Sequence, residues 1–130
     1  MTALIESTSE AQGIKRRPIA DAEVLNRLIL PMINEGAKLI EEGIATRPSD
    51  IDVVWPRGFG WPSWMGGPMY YADQLGLAAT HQRLEELEHT VGEQFKAART
   101  IGELAGSKRR FAGLHKAEAE SGALEIGEFI

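Results

Sequence analysis

The stretch DAEVLNRLILPMINEGAKLIEE, residues 21–42, decides the fold class because its apolar residues recur at helical spacing. From Leu25 to Ile40, leucine, isoleucine and methionine fall mostly three or four residues apart, which places them on one face of an α-helix. Asp21 is a suitable N-cap, and Gly43 supplies a C-terminal stop. The stretch therefore predicts a helix of about 20 residues.

Pro31 lies inside this helical pattern, where its ring removes a backbone donor and crowds the preceding turn. The apolar register continues across the proline, which favours one helix over two helices broken at Leu30. We therefore expect a long first helix with a kink near residues 27–31. Asn34 is expected on its polar face, together with Lys38 and the following glutamates.

Shorter helices are predicted downstream, and no segment alternates convincingly as a strand would. Ser49 is expected to cap a helix whose first turn holds Asp50 and Asp52, where the helix dipole favours carboxylates. Gly67 and Pro68 suit the N-cap and first residue of another helix. Two further helices are expected, one from Leu77 after Gly76 and one over 100–105. The fold class is all-α, with four or five helices.

The block GFGWPSWMGGP, residues 58–68, combines glycines, prolines and large aromatic side chains. It lacks the third glycine of a GxGxxG fingerprint and a preceding strand, so it does not predict dinucleotide binding. A packed corner and a small-molecule pocket both remain open, because the aromatic side chains suit either. The candidate substrate-binding residues are Trp55, Phe59, Trp61 and Trp64.

Composition narrows the function classes further. A net charge of −5 disfavours a general nucleic-acid binder, although the KRR runs at 15–17 and 108–110 suit either local anion sites or solvated helix ends. The 130 residues contain no cysteine, which excludes thiolate catalysis and sulfur-ligated metals, and the two aspartates near residue 50 do not predict a metal site. No membrane span or secretory signal is predicted, and we expect a cytoplasmic protein.

Several motifs, taken in order, resemble the C-terminal domain of 3-hydroxyacyl-CoA dehydrogenases. They are LPMINEGAKLIEEGIA at 30–45, SDIDVVW at 49–55 and the GxGxPxxxGGPxxYAD block at 58–73, with a weaker return in RTIGELAGSKRRF at 99–111. The resemblance is greatest to the second of two such domains in multifunctional fatty-acid β-oxidation enzymes. It implies an all-helical domain that follows a separate dinucleotide-binding domain.

The resemblance also implies which functions this chain lacks. In that family the NAD site and the catalytic histidine and glutamate belong to the other domain, so we expect no cofactor here except through a partner domain. His81, His89 and His115 do not match the catalytic motif. The family's N-R pair falls on Asn26 and Arg27, which makes Asn26 the one candidate catalytic residue, acting only with a partner domain.

One departure from the family concerns Met65, which stands where arginine is common in the relatives. If that arginine anchors a neighbouring domain, methionine replaces the charge with an adaptable apolar side chain. A changed partner surface and simple drift both fit this difference.

Three functions follow as hypotheses. The first is a non-catalytic assembly module that forms a homodimer, because a single copy of a normally paired domain leaves an apolar face uncovered. The second is a subunit or fragment of a split NAD-dependent 3-hydroxyacyl-CoA dehydrogenase, completed by a dinucleotide-binding chain. The third is a small protein that binds acyl-CoA or another acyl ligand at the aromatic block.

The expected domain organisation has three parts. Residues 1–13 form an N-terminal arm or frayed helix, and residues 14–105 form the helical domain. Residues 106–130, rich in glycine, alanine and charge, form a C-terminal tail.

Overall fold

A computed structural model describes residues 1–114, and all regular structure in this part of the chain is helical. The α-helices are α1 (Thr2–Ala11), α2 (Asp21–Glu41), α3 (Pro48–Gly58), α4 (Pro68–Leu75), α5 (Leu77–Thr90) and α6 (Arg99–Gly106). Two single 3₁₀ turns lie at Ser63–Met65 and Glu93–Phe95, and residues 111–114 are also helical. The predicted all-α class is confirmed.

The long helix α2 runs unbroken through Pro31, as the apolar register predicts. It ends where Gly43 adopts a φ of +70°, a left-handed conformation that glycine reaches at little cost, and Ile44 donates its N–H back to the carbonyl of Leu39. The predicted N-cap was wrong. Ala20 holds that position without a side-chain cap, and Asp21 is already the first helical residue.

The core forms where α2 packs against α3, α4, α5 and α6. The inward face of α2 buries Leu30, Ile33 and Ala37 completely or nearly so. The other helices contribute chiefly Ile51, Met69, Leu84, Ile101, Leu104 and Phe111. Because Phe111 is buried, the core extends beyond residue 105.

Asn34 links α2 to the start of α6, so its predicted position on the polar face was wrong. The side chain is 2% exposed. Its amide nitrogen donates to the carbonyl of Lys96 at 2.8 Å, and its amide oxygen accepts the N–H of Ala98 at 2.7 Å. Both polar atoms therefore bond to the backbone that enters α6. These hydrogen bonds offset the cost of removing the amide from water.

Asp52 and Asp73 cap later helices in the same long-range manner. Asp52 accepts the N–H groups of Met69 and Tyr70 at 2.7 and 3.0 Å, so it satisfies the start of α4 rather than only its own first turn. Asp73 accepts the N–H groups of Phe111 and Ala112 at 2.8 and 3.0 Å. Three side chains thus join segments that are distant in the sequence.

The start of α3 differs from its prediction. Ser49 lies inside the helix and makes no cap, because the helix begins one residue earlier at Pro48. The carboxylate of Asp50 instead accepts the N–H of Arg47 at 3.2 Å and pairs with its guanidinium at 2.9 Å. The predicted starts at Pro68 and Leu77 are confirmed, with Gly67 and Gly76 as the preceding caps.

The N-terminal segment adds no side chain to the core. The N-terminal segment forms the helix α1, which buries none of its side chains. The tail predicted over 106–130 lies mostly outside the described residues. Within the described part, no helix combines the length and apolarity needed to cross a bilayer.

Candidate functional site

An apolar groove of about 450 Å³ lies between the outer face of α2 and the glycine-rich loop that follows α3. Its α2 wall includes Leu25 and Leu28, which are 55% and 62% exposed, and its loop wall includes Trp64, which is 84% exposed. The remaining wall residues are Ile29, Met32, Gly60, Trp61, Pro62, Met65 and Tyr71. We call this surface the α2 groove.

The four candidate aromatic residues do not converge on one pocket. Trp61 and Trp64 line the α2 groove, whereas Trp55 lines a separate cavity of about 260 Å³ between α3 and the end of α2. Phe59 is 66% exposed and packs on Trp55 with a ring separation of 5.1 Å. Phe59 and Trp64 therefore leave most of their ring area exposed.

Trp61 connects the core to the α2 groove. It is 4% exposed and meets Tyr71 edge-on, with 5.9 Å between ring centres. Its indole N–H is buried and has no acceptor within residues 1–114. A buried donor without an acceptor costs free energy, so an occupant of the groove that supplied an acceptor would be favoured.

The loop that carries these rings is held close to α3. Gly67 has a φ of +92°, and a Cβ at this position would come within 2.6 Å of the Asp52 backbone and side chain. Only glycine allows this approach, which brings the start of α4 within reach of the Asp52 carboxylate. Gly67 thus serves a packed turn, which is one of the two alternatives that the sequence left open.

A second, polar cavity of about 360 Å³ lies between the start of α2 and the end of α5. Asn26 lies on its wall, half-buried, beside Arg17, Glu23, Arg27, Leu30, Arg83, Glu86, Leu87 and Thr90. The structure therefore separates Asn26 from the aromatic candidates, which belong to other surfaces. We call this second site the arginine cavity.

Electrostatics distinguish two carboxylates near these surfaces. Hydrogen bonding to Arg17 lowers the pKa of Glu23, with a further contribution from the charge of Arg27. Burial raises the pKa of Asp52, although its bonds to the Met69 and Tyr70 N–H groups oppose the shift. Glu23 therefore remains ionised beside the arginines, and Asp52 carries its charge at a desolvation cost.

The histidines are not gathered into a reactive site. His81 and His89 lie on α5, where His81 approaches Glu85 at 3.6 Å and His89 is exposed; His115 lies outside the described residues. Among residues 1–114, no three metal-ligating side chains come together.

Sequence reasoning missed the structural roles of Asn34 and Asp73, which hold the backbone before α6 and the backbone at residues 111 and 112. A signal for Asn34 was available. It follows Leu30 by four residues and precedes Ala37 by three, which places it on the buried stripe of α2. Asp73 gave no local signal, because its partners lie near residue 111.

Comparison with known proteins identifies the family to which this chain belongs. Residues 24–114 match the family described as 3-hydroxyacyl-CoA dehydrogenase, C-terminal domain. The chain belongs to this family. The match includes the three interhelical caps and the α2 groove, whereas α1 and the basic run at 15–17 precede it.

Similar proteins with curated names are much longer than the matched region. The chain is 39% identical over 88 residues to a peroxisomal bifunctional enzyme of Danio rerio, covering 68% of this chain and 12% of that protein. It is 33% identical over 98 residues to a peroxisomal fatty acid beta-oxidation multifunctional protein of Arabidopsis thaliana, covering 75% and 14%. A glyoxysomal counterpart from Cucumis sativus is 31% identical over 105 residues, covering 78% and 14%. The chain therefore corresponds to roughly an eighth of each relative.

Proposed function

We propose that this chain is a helical assembly module of the dehydrogenase family, non-catalytic on its own, which forms a homodimer in an acyl-CoA context of fatty-acid β-oxidation. The observation that carries the proposal is the exposed α2 groove. Leu28 on its α2 wall is 62% exposed, and Trp64 on its loop wall is 84% exposed. A contiguous apolar surface of this kind is typical of an interaction site.

The chemistry of the α2 groove suits a second copy of the chain. A two-fold interface uses the same patch on both partners, and an apolar patch complements itself without unpaired charges. Met65 lies in the groove wall, where an arginine would place a charge against its two-fold mate. Met65 thus keeps the groove wall apolar, as a self-complementary surface requires.

Sedimentation velocity at micromolar concentration tests the dimer. We expect the wild type to sediment as a dimer and Leu28→Glu to sediment as a folded monomer, because the new carboxylate would be buried without a partner. Val53→Glu is the matched control, since Val53 is 55% exposed on α3 outside the groove. A monomeric wild type, or equal disruption by both variants, would reject the proposal.

A second candidate is a subunit or fragment of a split dehydrogenase. The half-buried position of Asn26 in the arginine cavity favours it, because a partner domain placed there would meet a preformed polar wall. NAD would be held by that partner. Activity that appears only on mixing with a dinucleotide-binding dehydrogenase chain, and that Asn26→Ala abolishes, would select this function; the chain alone is expected to be inactive and not to bind NADH.

A third candidate is binding of an acyl ligand in the α2 groove, favoured by the unpaired indole N–H of Trp61. A titration with CoA esters, followed by tryptophan fluorescence and thermal unfolding, tests it cheaply. An unchanged spectrum and melting temperature would leave the groove as a protein interface.

The cytoplasmic location expected from the sequence stays a proposal. The relatives named above are called peroxisomal or glyoxysomal, so an organelle is the alternative. Imaging of the tagged full-length protein in its native host distinguishes the two.

A further inference from the structure

The arginine cavity carries an excess of positive charge in a protein whose net charge is −5. Three guanidinium groups line it, from Arg17, Arg27 and Arg83, against the two carboxylates of Glu23 and Glu86. Cations gathered in a concave site of an acidic chain indicate a local preference for anions.

The ion pairs of the cavity leave much of this charge uncompensated. Glu23 is shared, since it pairs with Arg17 at 2.9 Å and with Arg27 at 2.8 Å. Arg83 makes no ion pair or hydrogen bond through its side chain within residues 1–114. The Nε of Arg27 is buried and has no acceptor in the same part of the chain. Unfilled donors of this kind call for an additional acceptor.

A further cavity of about 340 Å³ lies between α1 and the start of α2 and shares Arg17 and Arg27 with the arginine cavity. Its remaining wall is mostly apolar and is formed by Ile5, Ile14 and Ile19, with Lys15 and Arg16 beside them. The three isoleucines are each at least half exposed, so an apolar occupant would cover them. We call it the isoleucine cavity.

We propose that the two cavities together bind a linear amphiphile, with its anionic head, a phosphate or carboxylate, between Arg17, Arg27 and Arg83 and its apolar chain along the isoleucine cavity. The shared arginines place the charged and apolar parts side by side, which is the order in which such a molecule presents them. Guanidinium groups bind either head through paired N–H donors.

The site is distinct from the α2 groove, so the inference stands apart from the dimer. Arg17 and all three isoleucines precede residue 24, where the family match begins, so this part of the site does not come from the shared domain.

Isothermal titration with decyl phosphate, below its micelle concentration and at low salt, tests the proposal on the full-length chain. We expect one molecule bound per chain. Inorganic phosphate, which lacks the chain, and decyltrimethylammonium, which carries the opposite charge on the same chain, should each bind at least about tenfold more weakly. Decanoate run in parallel shows which head is preferred, since either anion fits the proposed class.

Two variants locate the site. Arg83→Gln should weaken decyl phosphate about tenfold, because a charge-assisted hydrogen bond is lost, whereas the exposed Arg57→Gln on α3 changes the net charge equally and should have no effect. Ile14→Asn should weaken decyl phosphate and leave inorganic phosphate unchanged.

The proposal is overturned if decyl phosphate does not bind, if decyltrimethylammonium binds as tightly, or if both arginine variants behave alike. Sedimentation of the same samples reports the dimer separately, so a failure of one proposal cannot be mistaken for a failure of the other.

Discussion

The two faces of α2 follow opposite physical rules. Inward, Asn34 is a polar residue that is 2% exposed and hydrogen-bonded through both its amide nitrogen and its amide oxygen; outward, Leu28 is an apolar residue that is 62% exposed. The inward face satisfies a polar group within the fold, whereas the outward face leaves apolar area in water. The difference teaches that hydropathy alone does not place a residue here. Asn34 is buried because backbone groups before α6 need its hydrogen bonds. Leu28 is exposed because its surface is left uncovered within residues 1–114.

The largest effect should come from Asn34→Ala. The carbonyl of Lys96 and the N–H of Ala98 would lose their partner and a cavity would form, so we expect a loss of about 3 kcal/mol in the free energy of unfolding. Val24→Ala, at a position of the same helix that is 43% exposed and outside the α2 groove, is the control and should cost under about 0.5 kcal/mol. Urea denaturation measures both, and similar losses would erase the contrast between the two faces.

Gly67→Ala should be next. The added methyl would meet Asp52 within 2.6 Å at a φ of +92°, so both strain and displacement of the cap are expected, at about 2 kcal/mol. Gly60→Ala shares a positive φ but has open space around its Cβ position, so it isolates the strain alone. Thermal unfolding of the pair gives the steric part by difference; a Gly60 variant as unstable as the Gly67 variant would show that close approach has no separate role.

Asp52→Ala should cost about 1.5 kcal/mol, since it removes the acceptor for two N–H groups at the start of α4. The desolvation that raises the pKa of Asp52 limits the benefit of the carboxylate and hence the loss. Ser49→Ala, on the exposed side of the same helix, should change stability by less than about 0.5 kcal/mol. If Ser49→Ala lowered the stability more than Asp52→Ala, the result would support the Ser49 cap that the sequence predicted.

The smallest effect concerns pH at the arginine cavity. The pKa of Glu23 is lowered in the folded chain, so its contribution is present above the ordinary glutamate value and is lost as pH falls through the lowered one. The stability difference between the wild type and Glu23→Gln should therefore shrink on acidification from neutral pH. The Asp52 shift has the opposite sign and favours the fold as pH falls toward the ordinary aspartate value.

Urea midpoints at pH 7 and below pH 4 measure the Glu23 contribution, with the exposed Glu10→Gln on α1 as a control that should show no such convergence. A difference for Glu23→Gln that is independent of pH would contradict the role of its ion pairs.

The sequence predicted those features that depend on neighbours along the chain. The continuous α2, its stop at Gly43 and the starts at Pro68 and Leu77 all follow from spacing and from glycine and proline at helix ends. It did not predict the partners of Asn34 and Asp52, because these lie 62–64 and 17–18 residues away. The sequence pattern around a carboxylate near a helix start is the same whether the carboxylate caps its own helix or another helix.

The candidate site divides in a similar way. The aromatic block was recognised from its composition, but the separation of Trp55 from Trp61 and Trp64 depends on which side of the turn each ring occupies. The arginine cavity joins Arg17, Arg27 and Arg83 from three parts of the chain, so the basic run at 15–17 gave only a fraction of it.

The interhelical caps have a consequence for how the molecule opens. The first-turn amides of an ordinary helix fray, because releasing them disturbs only the end of that helix. Here the N–H groups of Met69 and Phe111 are held by carboxylates of preceding helices, so freeing them breaks a contact between two helices. In a hydrogen-exchange experiment these helix starts should be protected as strongly as helix centres, and the domain should lose its structure as one cooperative unit.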